Sequence, residues 1–462
     1  MVLSTFSLIY ISAVVCLIFL SFLYLKKDTL FNVKQTSKST IMMFIVLITL
    51  SVLLRMLLFA AIRGYDSDMG CWLGWGNQLL SDGLKDFYTA TGHEWYDYPP
   101  GYMYVLLCIT FIAKITHINE TSFFSTFIYI LPAIIADVLS AILIYYYGGK
   151  LKIKPAQRFT LAVFILFNPA VFFLSGAWGQ IDSLFTLLLI LTLIFMINKK
   201  YWAMGILYGL AIATKWQALI LGPVLVLGLI MSHNFKDRKE NLNIIKIVAS
   251  GILSLAVVIL LSLPFKADQG LFWIIDKLTQ STGGYNYATI EAYNFFGMLG
   301  ANWRWADDPF IFGISYKVFG SIMIILSVIV TAIMFYLDRL KLKDNYDVLR
   351  RRIFLHAAFF MFSVYTFGHY MHERYIFPVV ILLLFSYLVE NKKDILFSNV
   401  LLSSAVFLNE MIALYVAKPE VIDTIRMGSA HKTASIICGV LEVCSFVFFV
   451  YAYARRNSNT NS

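Results

Sequence analysis

The sequence predicts an all-α polytopic membrane protein, and three observations carry that prediction. Sixty per cent of the 462 residues are hydrophobic and only 14% are charged, against roughly 25% charged in an ordinary soluble domain. The apolar residues come in runs of the length, about 20 residues, that an α-helix needs to cross a bilayer. The Lys and Arg residues sit in short loops between those runs, the positive-inside pattern. The net charge of +10 therefore reads as loop charge and not as a nucleic-acid footprint.

Apolar runs lie at 3–25, 40–62, 123–148, 158–176, 182–198, 202–215, 217–232, 244–265, 311–337, 353–369, 375–390, 395–416 and 434–454. They predict one membrane domain over 1–462, with roughly 12–14 crossings. The first run has no basic residues before it and no small-residue cleavage site before Lys26, so it reads as a retained helix rather than a signal peptide. The cysteines (Cys16, Cys71, Cys108, Cys438 and Cys444) lack metal spacing and read as packing residues.

Loop charge sets the expected sidedness. Segments 26–38, 150–158, 233–246, 338–352 and the tail from Arg455 are Lys/Arg-rich and are expected in the cytoplasm. The loop 63–100 carries Asp66, Asp68, Asp82, Asp86, Glu94 and Asp97 against Arg63 and Lys85 and is expected outside. So are the loop 266–310 and the turns near 178–182 and 369–374. Between the outer loop and the basic 150–158 segment lie two apolar stretches, 101–117 and 123–148, yet only an odd number of crossings joins the two sides. Because 101–117 is shorter and the connector Thr116–Ser122 has no Lys or Arg, this segment is expected to be a re-entrant or juxtamembrane helix. Such a helix needs protein or a water-filled cavity around it.

The residues able to do chemistry gather at the ends of runs on that outer side. Asp66 and Asp68 directly follow a spanning run, with Trp72 and Trp75 beside them. A carboxylate at that depth is a candidate base, although a solvated loop with interfacial tryptophans has the same spelling. Asp97 stands among aromatics in Trp95-Tyr96-Asp97-Tyr98-Pro99-Pro100. The prolines are explained by the start of a helix, but the acid among aromatic faces suits a sugar ring. Asn168-Pro169 is expected to kink its run, and Trp178, Gln180 and Asp182 then crowd the next turn, where Asp182 also fits a helix cap. Lys215 and Gln217 fall between two short runs. A lysine on the outer side needs an anionic partner, either a phosphate or a local acid such as Asp182. In His369-Tyr-Met-His372-Glu373-Arg374, zinc lacks an obvious third ligand, whereas Arg374 and His372 suit a lipid phosphate; a salt-bridged structural turn is the other reading. Within the runs, Arg55, Asp137, His356, Glu410 and Glu442 are read as packing pairs, with Arg55 near the inner half and paired locally.

An outer-face pocket of acids, aromatics and bases has no access to nucleotide sugars. A group-transfer enzyme there needs a donor delivered by the membrane. It needs a carboxylate to take the acceptor proton and cations to stabilise the leaving phosphate.

With these motifs in order, the sequence resembles the GT-C class of membrane glycosyltransferases, in particular bacterial relatives of the GPI mannosyltransferases and of the dolichyl-phosphate-glucose-dependent glucosyltransferases. The first-loop Asp seven residues before a Trp is matched by Asp68 and Trp75, and the Asp-Tyr-Pro-Pro motif by Asp97 to Pro100. Asn-Pro followed by a Gln-containing turn is matched by Asn168-Pro169 and Gln180, the next-turn Lys by Lys215 with Trp216 inserted before Gln217, and the His-Glu turn by His372-Glu373. The motifs span 64–378. Arg374 and His369 depart from the pattern as additions to the last turn.

The resemblance implies a GT-C-like bundle with juxtamembrane helices in the first outer loop. It implies inverting transfer of a single hexose, mannose or glucose-like, from a polyprenyl-phosphate sugar to a glycan, glycolipid or protein acceptor. Asp68 is then the base and Asp66 its neighbour. With the residues read directly, Trp75, Asp97, Tyr98, Trp178, Gln180, Asp182, Lys215, Gln217, His369, His372, Glu373 and Arg374 are expected to contact substrate. No cofactor or divalent metal is expected beyond the donor, and the expected setting is a bacterial cell membrane with the site facing outward. A lipid-oligosaccharide flippase would show polar residues through the midplane and repeat symmetry, and an outer-face polysaccharide polymerase would show arginine-rich outer loops. The sequence shows neither pattern.

Overall fold

The computed structural model describes residues 14–23, 25–26, 38–89, 96–118, 122–235, 237–343, 345–416 and 429–456. Parts of the first run, of the basic segment 26–38 and of the first outer loop (including Glu94 and Trp95) lie outside the described residues.

The helices in chain order are α1 Val14–Leu23, α2 Lys38–Ile62, α3 Asp66–Ser81, α4 Pro100–Ile115, α5 Phe123–Lys150, α6 Pro155–Phe167, α7 Pro169–Phe173, α8 Asp182–Ile197, α9 Tyr201–Thr214, α10 Gly222–Met231, α11 Arg238–Ser262, α12 Trp273–Gly283, α13 Phe295–Met298, α14 Tyr316–Lys341, α15 Tyr346–Arg351, α16 Ile353–Phe367, α17 Phe377–Glu390, α18 Lys393–Val416 and α19 Ser429–Arg456. A π turn, Leu174–Trp178, extends α7, and a 3₁₀ turn, Trp216–Leu221, leads into α10. Among the described residues, sheet is confined to a two-residue parallel pair, β1 Thr289–Ile290 with β4 Met371–His372, and a hairpin of β2 Pro309–Ile311 and β3 Ile314–Ser315.

The protein is a multi-pass α-helical membrane protein. Helices α2, α5, α11, α14, α18 and α19 are each long and apolar enough to cross a bilayer, and α6 with α7 makes a seventh span bent by 41°. The bend has a local cause. Pro169 lacks the N–H that would continue α6, and Asn168 takes an extended backbone before it (φ −66°, ψ 125°). The Asn168 side chain then caps α7 by accepting from the Ala170 N–H at 3.1 Å and donates to Ser403 Oγ at 2.8 Å.

Around the centre the helices are shorter. α4 and α8 have 16 residues each, about 24 Å at 1.5 Å per residue, short of a hydrocarbon core of about 30 Å. α16 and α17 are buried along nearly their whole length, so they are apolar on every face, as helices enclosed by other helices must be. α2 and α11 bury little of their surface and turn their apolar side chains to lipid.

The intramembrane charges correct part of the sequence reading. Arg55 sits near the Ile62 end of α2, not in the other half, and its partner is not local. It pairs with Asp137 of α5 at 2.9 Å and donates to Ser175 Oγ at 3.0 Å and to the Leu166 carbonyl at 3.1 Å. His356 lies 3.4 Å from Asp338, a packing pair as expected. Glu410 and Glu442 have no ion-pair partner among the described residues: both carboxylate oxygens of Glu410 and Oε1 of Glu442 are buried without a hydrogen-bond partner. The charged groups that bear on Glu410 are Asp182 and Glu373, acids that cannot form an ion pair with it.

Candidate active site

The site begins at the turn from α2 into α3. Gly64 has φ +82°, and a Cβ there would fall 2.6 Å from Met69 Cγ, so only glycine turns the chain this tightly. The Tyr65 N–H donates to the Trp178 carbonyl at 3.0 Å, which fastens this turn to the π turn after α7. Asp66 and Asp68 occupy the first turn of α3, where the helix dipole favours negative charge. Asp66 is exposed and Asp68 half-buried.

Two N–H groups aim the Asp68 carboxylate. Trp178 Nε1 donates to Oδ2 at 2.8 Å, and Gln180 Nε2 donates to the same oxygen. Oδ1 has no hydrogen bond to a described residue. The π turn makes this possible by ending at Gly179, whose φ of +88° turns Gln180 back towards α3. The Gly179 carbonyl accepts from Trp72 Nε1 at 3.3 Å. One extra residue in a helical turn re-aims side chains, and such turns are frequent at functional sites.

Asp97 and Tyr98 are fixed through their backbone. Trp216 Nε1 donates to the Asp97 carbonyl at 3.1 Å, and the Tyr88 hydroxyl donates to that of Tyr98 at 2.9 Å. The Tyr98 hydroxyl in turn donates to Gln180 Oε1 at 3.1 Å, giving a chain Tyr98–Gln180–Asp68. Burial raises the pKa of Asp97 against the pull of Arg374, and the charge of Asp68 adds to the rise. Trp75 is buried among Trp72, Tyr96 and Tyr98, with ring centroids 5.5–6.1 Å apart.

The anionic partner of Lys215 is Asp182, with Nζ 2.8 Å from both oxygens. Asp182 is the first residue of α8 and does not cap it; Ile181 holds the cap position. Burial lowers the pKa of Lys215, opposed by Asp182. The ammonium also faces the rings of Phe185, Tyr98 and Tyr375 at 5.5–5.9 Å.

The His-Glu-Arg turn is placed by the β1–β4 pairing, which sets Ile290 opposite His372. Glu291 anchors that junction. Its carboxylate accepts from His431 and the Tyr293 hydroxyl at 2.9 Å and from Trp303 Nε1 at 2.5 Å. Burial works to raise its pKa, but these hydrogen bonds outweigh burial and hold it below the ordinary value. Burial, with Arg374 and Lys215 nearby, keeps the His372 imidazole neutral, its pKa well below 6.5. His369 is pushed down to about 4 by burial and by Lys317. Arg374 pairs with Glu373. Burial works against its charge, but Glu373, Asp68 and their neighbours hold it protonated.

These groups meet at a cavity of about 320 Å³. Asp97, Tyr98, Lys215, Gln217, His369, His372 and Arg374 line it, beside apolar walls from Leu219, Ile220, Leu278 and Ile324. Gln217 is buried with both amide atoms unpartnered, and Arg374 Nε and His369 Nδ1 are also unpartnered. Asp68, Trp178, Gln180, Asp182 and Glu373 stand behind this lining, while Asp66 and Trp75 lie apart from it. Tyr285, Tyr375 and Ser281 complete the wall. Sequence reasoning missed them, since an aromatic in an outer loop was the only available sign. Among the described residues, no three His, Cys, Asp or Glu side chains converge as ligands of one metal ion.

A bundle of membrane spans that gathers carboxylates, aromatic faces and cations into one cleft has the build of a membrane-embedded transferase. The family model of glycosyltransferase family 87 matches residues 95–365, more than half of the 462, and the chain belongs to that family. The family is one of the GT-C class of polyprenyl-phosphate-sugar-dependent enzymes, so the chain is a membrane glycosyltransferase. The match begins after Asp68 and ends before His369. No curated protein matches the chain.

Proposed function

We propose that the protein transfers a single hexose, mannose or glucose-like, from a polyprenyl-phosphate sugar to a glycan or glycolipid acceptor at the extracytoplasmic face of a bacterial membrane, inverting the anomeric centre. The observation that carries the reading is the Asp68 carboxylate, with one oxygen held by Trp178 and Gln180 and the other without a partner among the described residues. The free Oδ1 takes the proton of the acceptor hydroxyl as that oxygen bonds to the anomeric carbon. The bond from the anomeric carbon to the phosphate oxygen breaks on the opposite face. The charge left on the polyprenyl phosphate is met by Arg374, which lines the cavity and has an unpartnered Nε, and by the Lys215 ammonium. Neutral His372 donates a hydrogen bond to it. Gln217 offers both its amide donor and its acceptor to sugar hydroxyls, and Tyr285 and Tyr375 offer ring faces. The apolar wall of Leu219, Ile220, Leu278 and Ile324 accommodates the first isoprene units. The acidic first loop and basic opposite loops support the outward orientation.

The test is turnover of purified protein with polyprenyl-phosphate hexoses and a glycolipid extract as acceptor. Asp68→Asn is expected to lower kcat by about 10³-fold while donor binding persists, in the range of a lost general base. Full turnover in that variant would exclude Asp68 as the base.

A further inference from the structure

We infer that a groove at the end of the bundle away from the active site binds the headgroup of an anionic phospholipid, with Arg158 as its ligand. α2 runs from Lys38 at this groove to Ile62 beside the site, and α6 with its continuation runs from Arg158 to Trp178, so the two regions lie at opposite ends of the spans. The groove has a volume of about 320 Å³ and is lined by Thr40, Phe44, Ile45, Ile142, Tyr145 and Arg158. Ile45 is 54% exposed on a helix that faces lipid, so the groove opens to the acyl chains.

The argument rests on charge balance. Among the described residues four arginines are buried: Arg55, Arg158, Arg350 and Arg352. Arg55 pairs with Asp137, Arg350 with Asp347, and Arg352 with Asp338 and Glu390. Arg158 is only 3% exposed yet has no carboxylate among the described residues. Its one side-chain hydrogen bond reaches the Tyr145 carbonyl at 3.4 Å, its Nε has no partner, and its guanidinium lies 4.5 Å over the Tyr145 ring. A buried cation without a counter-ion is costly; no described acid supplies one, and an anion from the bilayer would lower that cost.

The seat of the guanidinium is built into the sequence. A Cβ on Gly149 would fall 2.1 Å from Arg158 Nη1, and one on Gly148 would fall 3.1 Å from Arg158 Cβ. The two glycines ending α5 therefore make the shelf on which Arg158 lies. A phosphate at the mouth of the groove matches the fork geometry of the free guanidinium edge. The connector contributes exposed Lys150, Lys152 and Lys154 and no acid from 150 to 158, which disfavours a headgroup that carries its own ammonium. Basic pockets between membrane helices on the cytoplasmic side bind anionic headgroups in this manner, and the apolar wall seats one acyl chain.

Native mass spectrometry and thermal-shift measurements on the full chain in nonionic detergent test this, with phosphatidylglycerol, phosphatidylcholine and inorganic phosphate as probes. Phosphatidylglycerol is expected to bind roughly tenfold tighter than phosphatidylcholine and to raise Tm. Arg158→Gln is expected to abolish that difference. Ile45→Trp, which fills the groove from its lipid-facing side, is expected to weaken phosphatidylglycerol while leaving the lipid-free Tm unchanged, and decides the matter should Arg158→Gln not fold. Equal binding of the two lipids, an unaltered preference in both variants, or displacement of phosphatidylglycerol by an equal concentration of inorganic phosphate would overturn the inference.

Discussion

The Arg55 cluster and the cleft cluster share one piece of backbone and are built in opposite ways. Around Arg55 every direction is closed: Nε faces Asp137 and Ser175, Nη1 faces Ser51 and the Leu166 carbonyl, and Nη2 faces Asp137. At and behind the cleft lining, by contrast, polar groups keep unbonded positions. Asp68 has one bonded oxygen and one free, Arg374 has Glu373 on one side and an unpartnered Nε, and Gln217 has no partner. A buried polar group left unpaired costs about 1–3 kcal/mol. The closed cluster therefore leaves no group to a ligand, whereas under the proposed function the open one is left for substrate. The π turn Leu174–Trp178 joins them: Ser175 belongs to the first and Trp178 to the second. Gly176 lets α2 approach that turn, since a Cβ there would fall 2.9 Å from Arg55 Cβ.

Substitutions in the two clusters should then fail in different ways. The largest effect expected is the loss of about 10³-fold in kcat with Asp68→Asn, at a Tm close to that of the unaltered protein. If Tm falls along with turnover, Asp68 belongs to the structural cluster and the contrast breaks. Arg55→Met should do the reverse. Removing one partner of a buried ion pair costs about 3–5 kcal/mol, so Tm and yield should drop strongly. The double change Arg55→Met with Asp137→Leu should recover much of the loss, because no buried charge is then left alone. A single variant that loses turnover at unchanged Tm would instead move Arg55 into the catalytic cluster.

A smaller effect is expected at Arg374. Lysine keeps the charge but not the fork, so Arg374→Lys should raise the donor KM by about tenfold, which is ~1.4 kcal/mol, with kcat changed less. An unchanged KM would remove Arg374 from phosphate binding and leave it as the counter-ion of Glu373.

Legibility in the sequence followed the same division. Asp97, Tyr98, Lys215, Gln217, His369, His372 and Arg374 were legible because polar residues at the ends of apolar runs are too costly to be placed there without reason, and the fold brings them to one cleft. The kink at Asn168-Pro169 was legible because it is local chemistry. Arg55 was misplaced because its partner is 82 residues away, and no helix spacing reports such a contact. Trp75 was expected to contact substrate, and its packing among Trp72, Tyr96 and Tyr98 was not legible, because spacing does not reveal which ring packs inward. Tyr285 was missed because β1–β4 pairing, a contact between distant loops, is what carries it to the cleft. The spans were legible as apolar runs, but not the division between six long helices and the short buried ones they enclose, since composition does not distinguish a lipid-facing run from one enclosed by protein.

The smallest effect expected is one of pH, and it separates histidines that hold the fold from carboxylates that carry chemistry. His369 is pushed down to about 4 and His372 lies well below 6.5, so both are neutral in the folded protein near neutrality. In the unfolded chain they take up protons near 6.5. Between that value and the folded one the unfolded state binds more protons, so stability falls as pH falls from about 6.5 towards 4. Tm measured at about pH 7 and about pH 4.5 should therefore decrease, and His369→Gln should flatten part of that decrease, modestly because the ring is only half-buried. Turnover should show no step at 6.5. Its acid limb should come from the carboxylates, with Asp97 titrating above the ordinary aspartate range, and Asp97→Asn should shift that limb downward. A step in kcat at 6.5 that disappears in His372→Gln would show that His372 gains its proton in the folded enzyme and belongs to the chemistry as a cation.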